Sequence, residues 1–215
     1  MLRRIKARAK DRLRRAVATG GPGDEVLAHV VIAGGTLVNW MQFSSHDWSR
    51  RLDDIVKAVE PEGVRWITLV PISSGHEVGT KIDAAQISSL NMKIDKALRQ
   101  LSGRVDVIVR PEPDGRQRFV DVVNSLGNIR DVAHDHASLS EGRLARALMA
   151  PAEAEPDLVL ILGRPTELPS SLVWELAYSE LVFLHIDWRD LSVEHLQMAV
   201  DDFRRRNRRF GGIDA

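Results

Sequence analysis

Pro156-Asp157-Leu158-Val159-Leu160-Ile161-Leu162-Gly163, then Leu172-Val173-Trp174-Glu175-Leu176-Ala177-Tyr178-Ser179-Glu180-Leu181-Val182-Phe183, and finally Arg208-Arg209-Phe210-Gly211-Gly212 are the pieces of sequence that decide the fold. Residues 158–162 form an unbroken apolar run, and 181–186 form a second, interrupted at His185. Continuous rather than alternating apolar residues mark strands covered on both faces. Residues 171–179 between them read as a helix. Similar runs at 27–33, 66–72 and 105–109 read as further buried strands. Helical patterns fill the gaps at 48–59, 82–101, 117–126, 140–149 and 192–206, with Ser138 and Glu141 offering a capping box for the 140–149 helix. Alternation of this kind predicts an α/β fold, a single domain with a mostly parallel central sheet covered by helices. Ligands of such sheets bind beyond the carboxyl ends of the strands. The segments to watch are therefore 34–40, 73–80, 110–115, 163–169 and the stretch after Ile186.

The 215 residues, 44% of them hydrophobic, suit one core. Thirty basic side chains balance thirty acidic ones, so net charge gives no support for a nucleic-acid partner. The lack of cysteine excludes disulfides and thiolate metal sites and fits a reducing cytoplasm. No run approaches the ~18 apolar residues of a membrane span.

Charge is nonetheless unevenly placed. Residues 1–19 carry Arg3, Arg4, Lys6, Arg8, Lys10, Arg12, Arg14 and Arg15 against the single acid Asp11, while Leu2, Ile5, Ala9, Leu13 and Ala16 share one helical face. This predicts an N-terminal basic amphipathic helix, either solvated or lying among anionic lipid headgroups. With no apolar stretch behind it, it does not read as a secretory signal. The glycine-rich residues 20–26 form a linker, and 27–215 the domain. The expected location is cytoplasmic, with a peripheral contact to an anionic membrane surface through 1–19.

The C-terminal stretch resembles the last third of the cis-prenyltransferases, the undecaprenyl diphosphate synthase family. There a Trp-x-x-Ala-Tyr-x-Glu-Leu-x-Phe segment precedes a terminal Arg-Arg-Phe-Gly, as Trp174 to Phe183 precede Arg208 to Gly211 here. Fainter likenesses lie upstream. His29-Val30-Val31-Ile32 is similar to the family's first strand, Trp40 and His46 fall at family positions, and Ile67-Thr68-Leu69 is similar to the second strand. The resemblance implies a cis-prenyltransferase-like domain.

The departures bear on activity. Active members follow the first strand with Asp-Gly-Asn-x-Arg-Trp, whose Asp holds magnesium. Here Gly35 stands for the Asp and Asn39 for the Arg. The Phe-Ser-x-Glu-Asn-Trp loop becomes residues 72–77. In the Arg-x-x-Gly-Glu-x-Arg-x-Ser diphosphate grip, Ile161 and Glu167 replace the arginines and Pro169 the serine. Each lost guanidinium removes charge-assisted hydrogen bonds about twice as strong as neutral ones, and Glu167 puts repulsion in place of attraction.

Arg209 and Gly211, in contrast, keep the Arg-x-Gly tail that in this family reaches into the neighbouring subunit's site, and Glu180 keeps the family's interfacial acid. This profile is similar to that of the Nogo-B receptor-type subunits of two-component cis-prenyltransferases, as are Asp157 to Gly163 and the turn Pro113-Asp114-Gly115. The resemblance implies an accessory subunit without catalytic residues of its own. It would pair with a catalytically active homologue through Trp174, Tyr178, Glu180 and Phe183 and lend Arg209 and Gly211 to the partner's diphosphate site. Magnesium (Mg2+) belongs to that partner's site, none is expected on this chain alone, and Glu180 is its weak candidate ligand. Two other readings stand beside this one. The first is a divergent enzyme active alone, with Arg110, Arg116 and Arg164 as a relocated grip. The second is a homodimer that binds prenyl chains or phosphates without catalysis.

Plainer readings exist residue by residue. Arg209 is also a cation at a basic helix end, and Gly211 a helix C-cap. Trp174 and Tyr178 are also packing residues, and Gly34-Gly35-Thr36 a tight turn. His134-Asp135-His136 reads as a surface loop, and Ser73, Ser74 and His76 lack an orienting acid. Apolar residues in 79–103 border the prenyl tunnel of the family or simply fill it.

Overall fold

A computed structural model describes residues 27–72, 82–112, 114–133, 139–164, 168–177 and 179–206. Five strands, β1 (His29–Ala33), β2 (Trp66–Val70), β3 (Asp106–Val109), β4 (Leu158–Leu162) and β5 (Glu180–Leu184), form one sheet in the order β3-β2-β1-β4-β5. Every pairing is parallel. β1, β2 and β4 are buried along their whole length, the burial that their unbroken apolar runs imply. The chain runs outward from β1 on one side through β2 and β3, then returns to place β4 and β5 on the other. The reversal of strand order therefore falls between β1 and β4, and the loops after those two strands flank the crevice where such sheets bind ligands.

Among the described residues, six α-helices accompany the strands: α1 (Leu37–Gln42), α2 (Ser45–Val59), α3 (Ala84–Gln100), α4 (Gly115–Ala133), α5 (Glu141–Met149) and α6 (Val193–Arg205). Their starts are locally encoded. Thr36 with Asn39, Ser44 with Asp47, Asp83 with Gln86 and Ser192 with His195 each close a reciprocal capping box. The α5 cap is Ser140, which accepts from the Arg143 amide; Ser138, expected for that role, lies outside the described residues.

Alternation along the strands divides the core by face. Val30, Ile32, Ile67, Leu69, Leu158, Leu160 and Val182 pack against residues of α1, α2, α3 and α6. Val31, Ala33, Val70, Val159 and Ile161 point the other way, onto Leu172 with Ile72 and Leu176 beside it. A satellite cluster joins α4 and α5 through Phe119, Leu126, Leu144, Leu148, Met149 and Trp174.

Residues 171–179 do not form the expected helix. A single 3-10 turn, Glu175–Ala177, is all the helix the described part of this segment contains. The segment is instead fastened crosswise. The Ser171 hydroxyl donates to Pro71 O (2.9 Å), and the Ser179 hydroxyl reaches Glu175 O (2.6 Å) and Pro156 O (2.9 Å). Tertiary hydrogen bonds here override the helical spacing of the apolar residues. The basic helix at 1–19 and the linker at 20–26 lie outside the described residues.

Candidate functional site

The crevice opens where β1 ends. Gly34 continues the ladder, its amide donating to Val70 O (3.1 Å), and Gly35 turns the chain at φ +66°. Both are glycine for want of room. A Cβ on Gly34 would stand 2.6 Å from Leu162 Cδ1, and one on Gly35 would stand 2.8 Å from Trp188 Cγ. Trp188, almost wholly buried, belongs to an aromatic box with Trp40, Phe43 and Trp48, whose ring centroids lie 5.2 to 6.1 Å apart. Trp40 Nε1 donates to Gly34 O (2.8 Å), which ties the box to the turn. Arg51 closes one side. Its guanidinium lies over the Trp188 ring (5.1 Å to the centroid) and donates to the Leu191 and Arg189 carbonyls. Burial pushes its pKa down.

Asn39, at the position of the family's arginine, is committed to the backbone. Its Oδ1 accepts from the Thr36 amide (2.9 Å) and hydroxyl (3.1 Å), and its own amide donates to Thr36 Oγ1 (3.2 Å). Across the crevice, Ile161 pairs with Ala33 in the sheet and packs in the apolar cluster of the second face. Pro169 is buried, Arg164 is exposed, and Glu167 lies outside the described residues.

Of the three arginines expected to form a relocated grip, the structure gives Arg110 other work. Its Nη2 donates to Met149 O (2.9 Å) and Ala150 O (3.0 Å), and Nη1 stands 3.7 Å from Glu175. Glu175 is only 1% exposed at its side chain and also pairs with Arg118 and accepts from the Trp174 amide. Burial first, then the neighbouring Arg118, pushes the Arg110 pKa down to about 10. Arg116, on α4, is exposed, and its backbone amide donates to Asp114 Oδ1 (2.9 Å). Neither the Arg110–Glu175–Arg118 cluster nor Trp188 was singled out from sequence. The available signal was the acid at 175 set between Trp174 and Leu176, and a tryptophan in the stretch after Ile186.

Beside the open edge of β5, Glu180 lies 3.5 Å from Arg206, and the Arg206 guanidinium donates to Leu181 O (2.6 Å). Trp174 is half-buried and stacks on Phe119 (6.3 Å between centroids) within its own chain. Phe183 is 36% and Val173 44% exposed. Tyr178, Arg209, Gly211, residues 73–77 and residues 134–136 lie outside the described residues. His46 is exposed. His29 is buried, with Nδ1 2.8 Å from Ala154 O and Nε2 2.9 Å from Thr68 Oγ1. A carbonyl only accepts, so Nδ1 carries the proton and the threonine hydroxyl donates to Nε2. Desolvation lowers the His29 pKa and keeps the ring neutral.

A family model for undecaprenyl diphosphate synthase matches residues 36–211. The chain belongs to this family. It is 31% identical over 208 residues to Isoprenyl transferase 2 of Bradyrhizobium diazoefficiens, covering 90% of this chain and 81% of that one. It is 25% identical over 219 residues to the isoprenyl transferase of Streptococcus mutans, covering 95% and 88%. Among solved structures, lavandulyl diphosphate synthase from Lavandula x intermedia, in complex with dimethylallyl diphosphate, shares the fold. The TM-score is 0.60 and the identity 15%, over 85% of this chain and 98% of that one.

Measured against what a prenyltransferase site must hold, the described residues do not fit a divalent cation. No carboxylate stands at Gly34 or Gly35. Glu180 faces a guanidinium, and no group of three His, Asp or Glu side chains gathers among the described residues. Leu52, Ile55, Leu90 and Ile94 of α2 and α3 meet Ile67 and Leu69 of the sheet in one packed cluster. No helix among the described residues is long and apolar enough to cross a membrane.

Proposed function

We propose that this chain is a non-catalytic subunit of a heteromeric cis-prenyltransferase. The partner, a homologue with an intact Asp-Gly-Asn motif, condenses isopentenyl diphosphate with an allylic diphosphate. This chain lends Arg209 and Gly211 to that partner's magnesium and diphosphate site. The observation that carries the reading is the crevice itself: Leu162 and Trp188 stand where a side chain on Gly34 or Gly35 would have to go. Asn39 and Ile161 are likewise bound into capping and core rather than turned toward a ligand. Two-component assembly follows from a closed dimer in which each site needs groups from both chains, because one chain can then lose its own site without harming the other. The partner docks on the face carrying Trp174, Tyr178, Glu180 and Phe183, and the basic residues 1–19 hold the pair at an anionic membrane surface.

The rival reading is a divergent enzyme active alone, favoured by its identity to proteins named isoprenyl transferases. One assay separates the two. The chain is incubated with Mg2+, an allylic diphosphate and labelled isopentenyl diphosphate, alone and with the Asp-Gly-Asn homologue from the same genome. Activity above that of the homologue alone, appearing only in the mixture and lost with Arg209→Ala, is the expected result. Turnover by this chain alone overturns the proposal. Co-purification without any change in turnover points to a non-enzymatic binding role.

A further inference from the structure

We infer that the aromatic box beside Gly35 binds one compact monovalent anion of halide size, held by Arg51, Trp48 and Trp188. The site belongs to this chain alone and does not depend on the accessory-subunit reading. Three buried N–H donors of the box have no acceptor: Trp48 Nε1, Trp188 Nε1 and Arg51 Nε. The three residues are 0%, 1% and 7% exposed, so bulk water does not serve them. Two other buried side-chain atoms among the described residues lack a hydrogen bond, Glu62 Oε2 and Arg118 Nη1, and each belongs to a side chain that already has an ion pair. Arg51 has none among the described residues. Its Nη atoms donate to the Leu191 and Arg189 carbonyls, and its Cζ lies 5.1 Å from the Trp188 ring centroid and 5.9 Å from that of Phe43. The charges of Asp54, Asp187 and Asp190 reach it, opposed by that of Arg50, without any of the three acids pairing with it. A cation taken out of water needs counter-charge as well as hydrogen bonds.

What surrounds the open positions defines the ligand. All three are donors, so the ligand must accept. A water that accepts from them still has two hydrogens to place, and the carbonyls of Leu191, Arg189 and Gly34 are already engaged by Arg51 and Trp40. An anion has no hydrogens to place, cancels the charge of Arg51 and turns the three contacts into charge-assisted bonds. The N–H edge of each indole also carries the positive end of the ring quadrupole. Size follows from the packing. The Trp48 and Trp188 centroids stand 6.1 Å apart, with the guanidinium over the second ring, which suits a single-atom ion and not a phosphate. Trp188 in turn borders Gly35 at the carboxyl end of β1, where sheets of this type bind ligands.

Chloride is the probe. The full chain, without any partner, is unfolded in urea and refolded in mixtures of sodium chloride and sodium gluconate at one ionic strength. Refolding lets the ion into a closed box, and constant ionic strength holds screening fixed. The expected result is a urea midpoint that rises with chloride as one bound ion per chain requires. Trp48→Phe keeps a ring and removes the N–H, so it should raise the half-effective chloride concentration about 10- to 100-fold. Arg51→Met should abolish the dependence, and Trp48→Phe combined with Trp188→Phe takes its place if Arg51→Met does not fold. Crystals grown in bromide should show an anomalous peak within hydrogen-bonding reach of Arg51, Trp48 and Trp188. A parent midpoint indifferent to chloride, a dependence that survives Arg51→Met or the double variant, or a water in the box with no bromide signal each overturns the inference.

Discussion

Restoring the acid at Gly35 is the sharpest perturbation the structure offers, because three separable penalties meet there. Gly35 sits at φ +66°, a conformation that costs an L residue about 1–2 kcal/mol. Its missing Cβ would lie 2.8 Å from Trp188 Cγ and 2.9 Å from Trp188 Cβ, atoms of a side chain whose ring packs against Trp40, Phe43, Trp48 and Arg51. Overpacking of this kind costs about 1–3 kcal/mol. Gly35→Ala, which adds the Cβ alone, should therefore lower stability by about 2–5 kcal/mol, or roughly 5–20 °C in Tm for a domain of this size. Gly35→Asp adds a carboxyl group beside the aromatic box, worth about another 1–3 kcal/mol. That last part has a signature. Burial raises the pKa of the introduced carboxyl, so its penalty grows as pH rises above about 4, whereas the Gly35→Ala deficit does not depend on pH. Thermal and urea unfolding of both variants between pH 4 and pH 7.5 measure the parts separately. Trp188→Ala removes the colliding atoms, so the double variant with Gly35→Asp should be less unstable than the sum of the singles. A Gly35→Ala protein with unchanged Tm, or strict additivity in the double variant, would refute the steric account. Turnover by Gly35→Asp alone would show that the site lacks a single group and is otherwise intact.

Two further predictions concern stability and charge. The His29 pKa is lowered in the folded state, so the unfolded chain binds the extra proton; stability is complete above about pH 6.5 and falls as pH drops below it, by at most ~1.4 kcal/mol per pH unit. Urea titrations at pH 7 and pH 5.5 should show this loss in the parent and a smaller one in His29→Asn, and equal slopes would remove His29 as the cause. Glu175→Gln leaves Arg110 and Arg118 without their shared buried counter-charge and should cost about 3–5 kcal/mol, or roughly 6–20 °C. Arg118→Met should cost less, because Arg110 still faces the carboxylate; the reverse order in calorimetry would mean that Glu175 does not bridge the two.

How far the residues announced this structure depends on how local their signals were. The three central strands were legible because a run such as Leu158–Leu162 is satisfied by burial on both faces, whereas the runs at 105–109 and 181–186, expected to be buried as well, form the partly exposed edge strands β3 and β5. Residues 192–206 were legible as a helix because Ser192 and a 3.6-residue apolar spacing agree. The segment 171–179 was not, since Leu172, Leu176 and the serines carry helical spacing while their hydroxyls bond to Pro71 and Pro156, partners remote or unmarked in sequence. The short helix Leu37–Gln42 is not among the expected helices, because its start depends on an Asn39 side chain folded back onto Thr36. At the crevice, the lost charges could be named from sequence alone. That Trp188, more than 150 residues after Gly35, occupies the vacated volume needed the three-dimensional fold.

The fold opposes return of the family's residues to this crevice. A position that has merely lost a ligand can regain it by one substitution. Here Gly35, Asn39 and Ile161 each have a structural occupation that opposes reversal. An arginine at Asn39 forfeits the return half of a capping box, the bond from the Thr36 amide to Asn39 Oδ1, worth about 0.5–1.5 kcal/mol. An arginine at Ile161 places a guanidinium among Val31, Ala33, Val70, Val159 and Leu172, where a buried and unpaired charge costs several kcal/mol. Added to the penalties at Gly35, these approach the ~5–15 kcal/mol that separates a folded domain from its unfolded chain. Ile161 and Gly35 also lie on adjacent strands and their connections, so the changes couple and the fold must yield to all of them at once. Stability and restoration of the crevice therefore pull in opposite directions. The proposed contribution through the tail, at a site completed by another chain, would avoid that conflict, because it asks nothing of the packed end of this sheet.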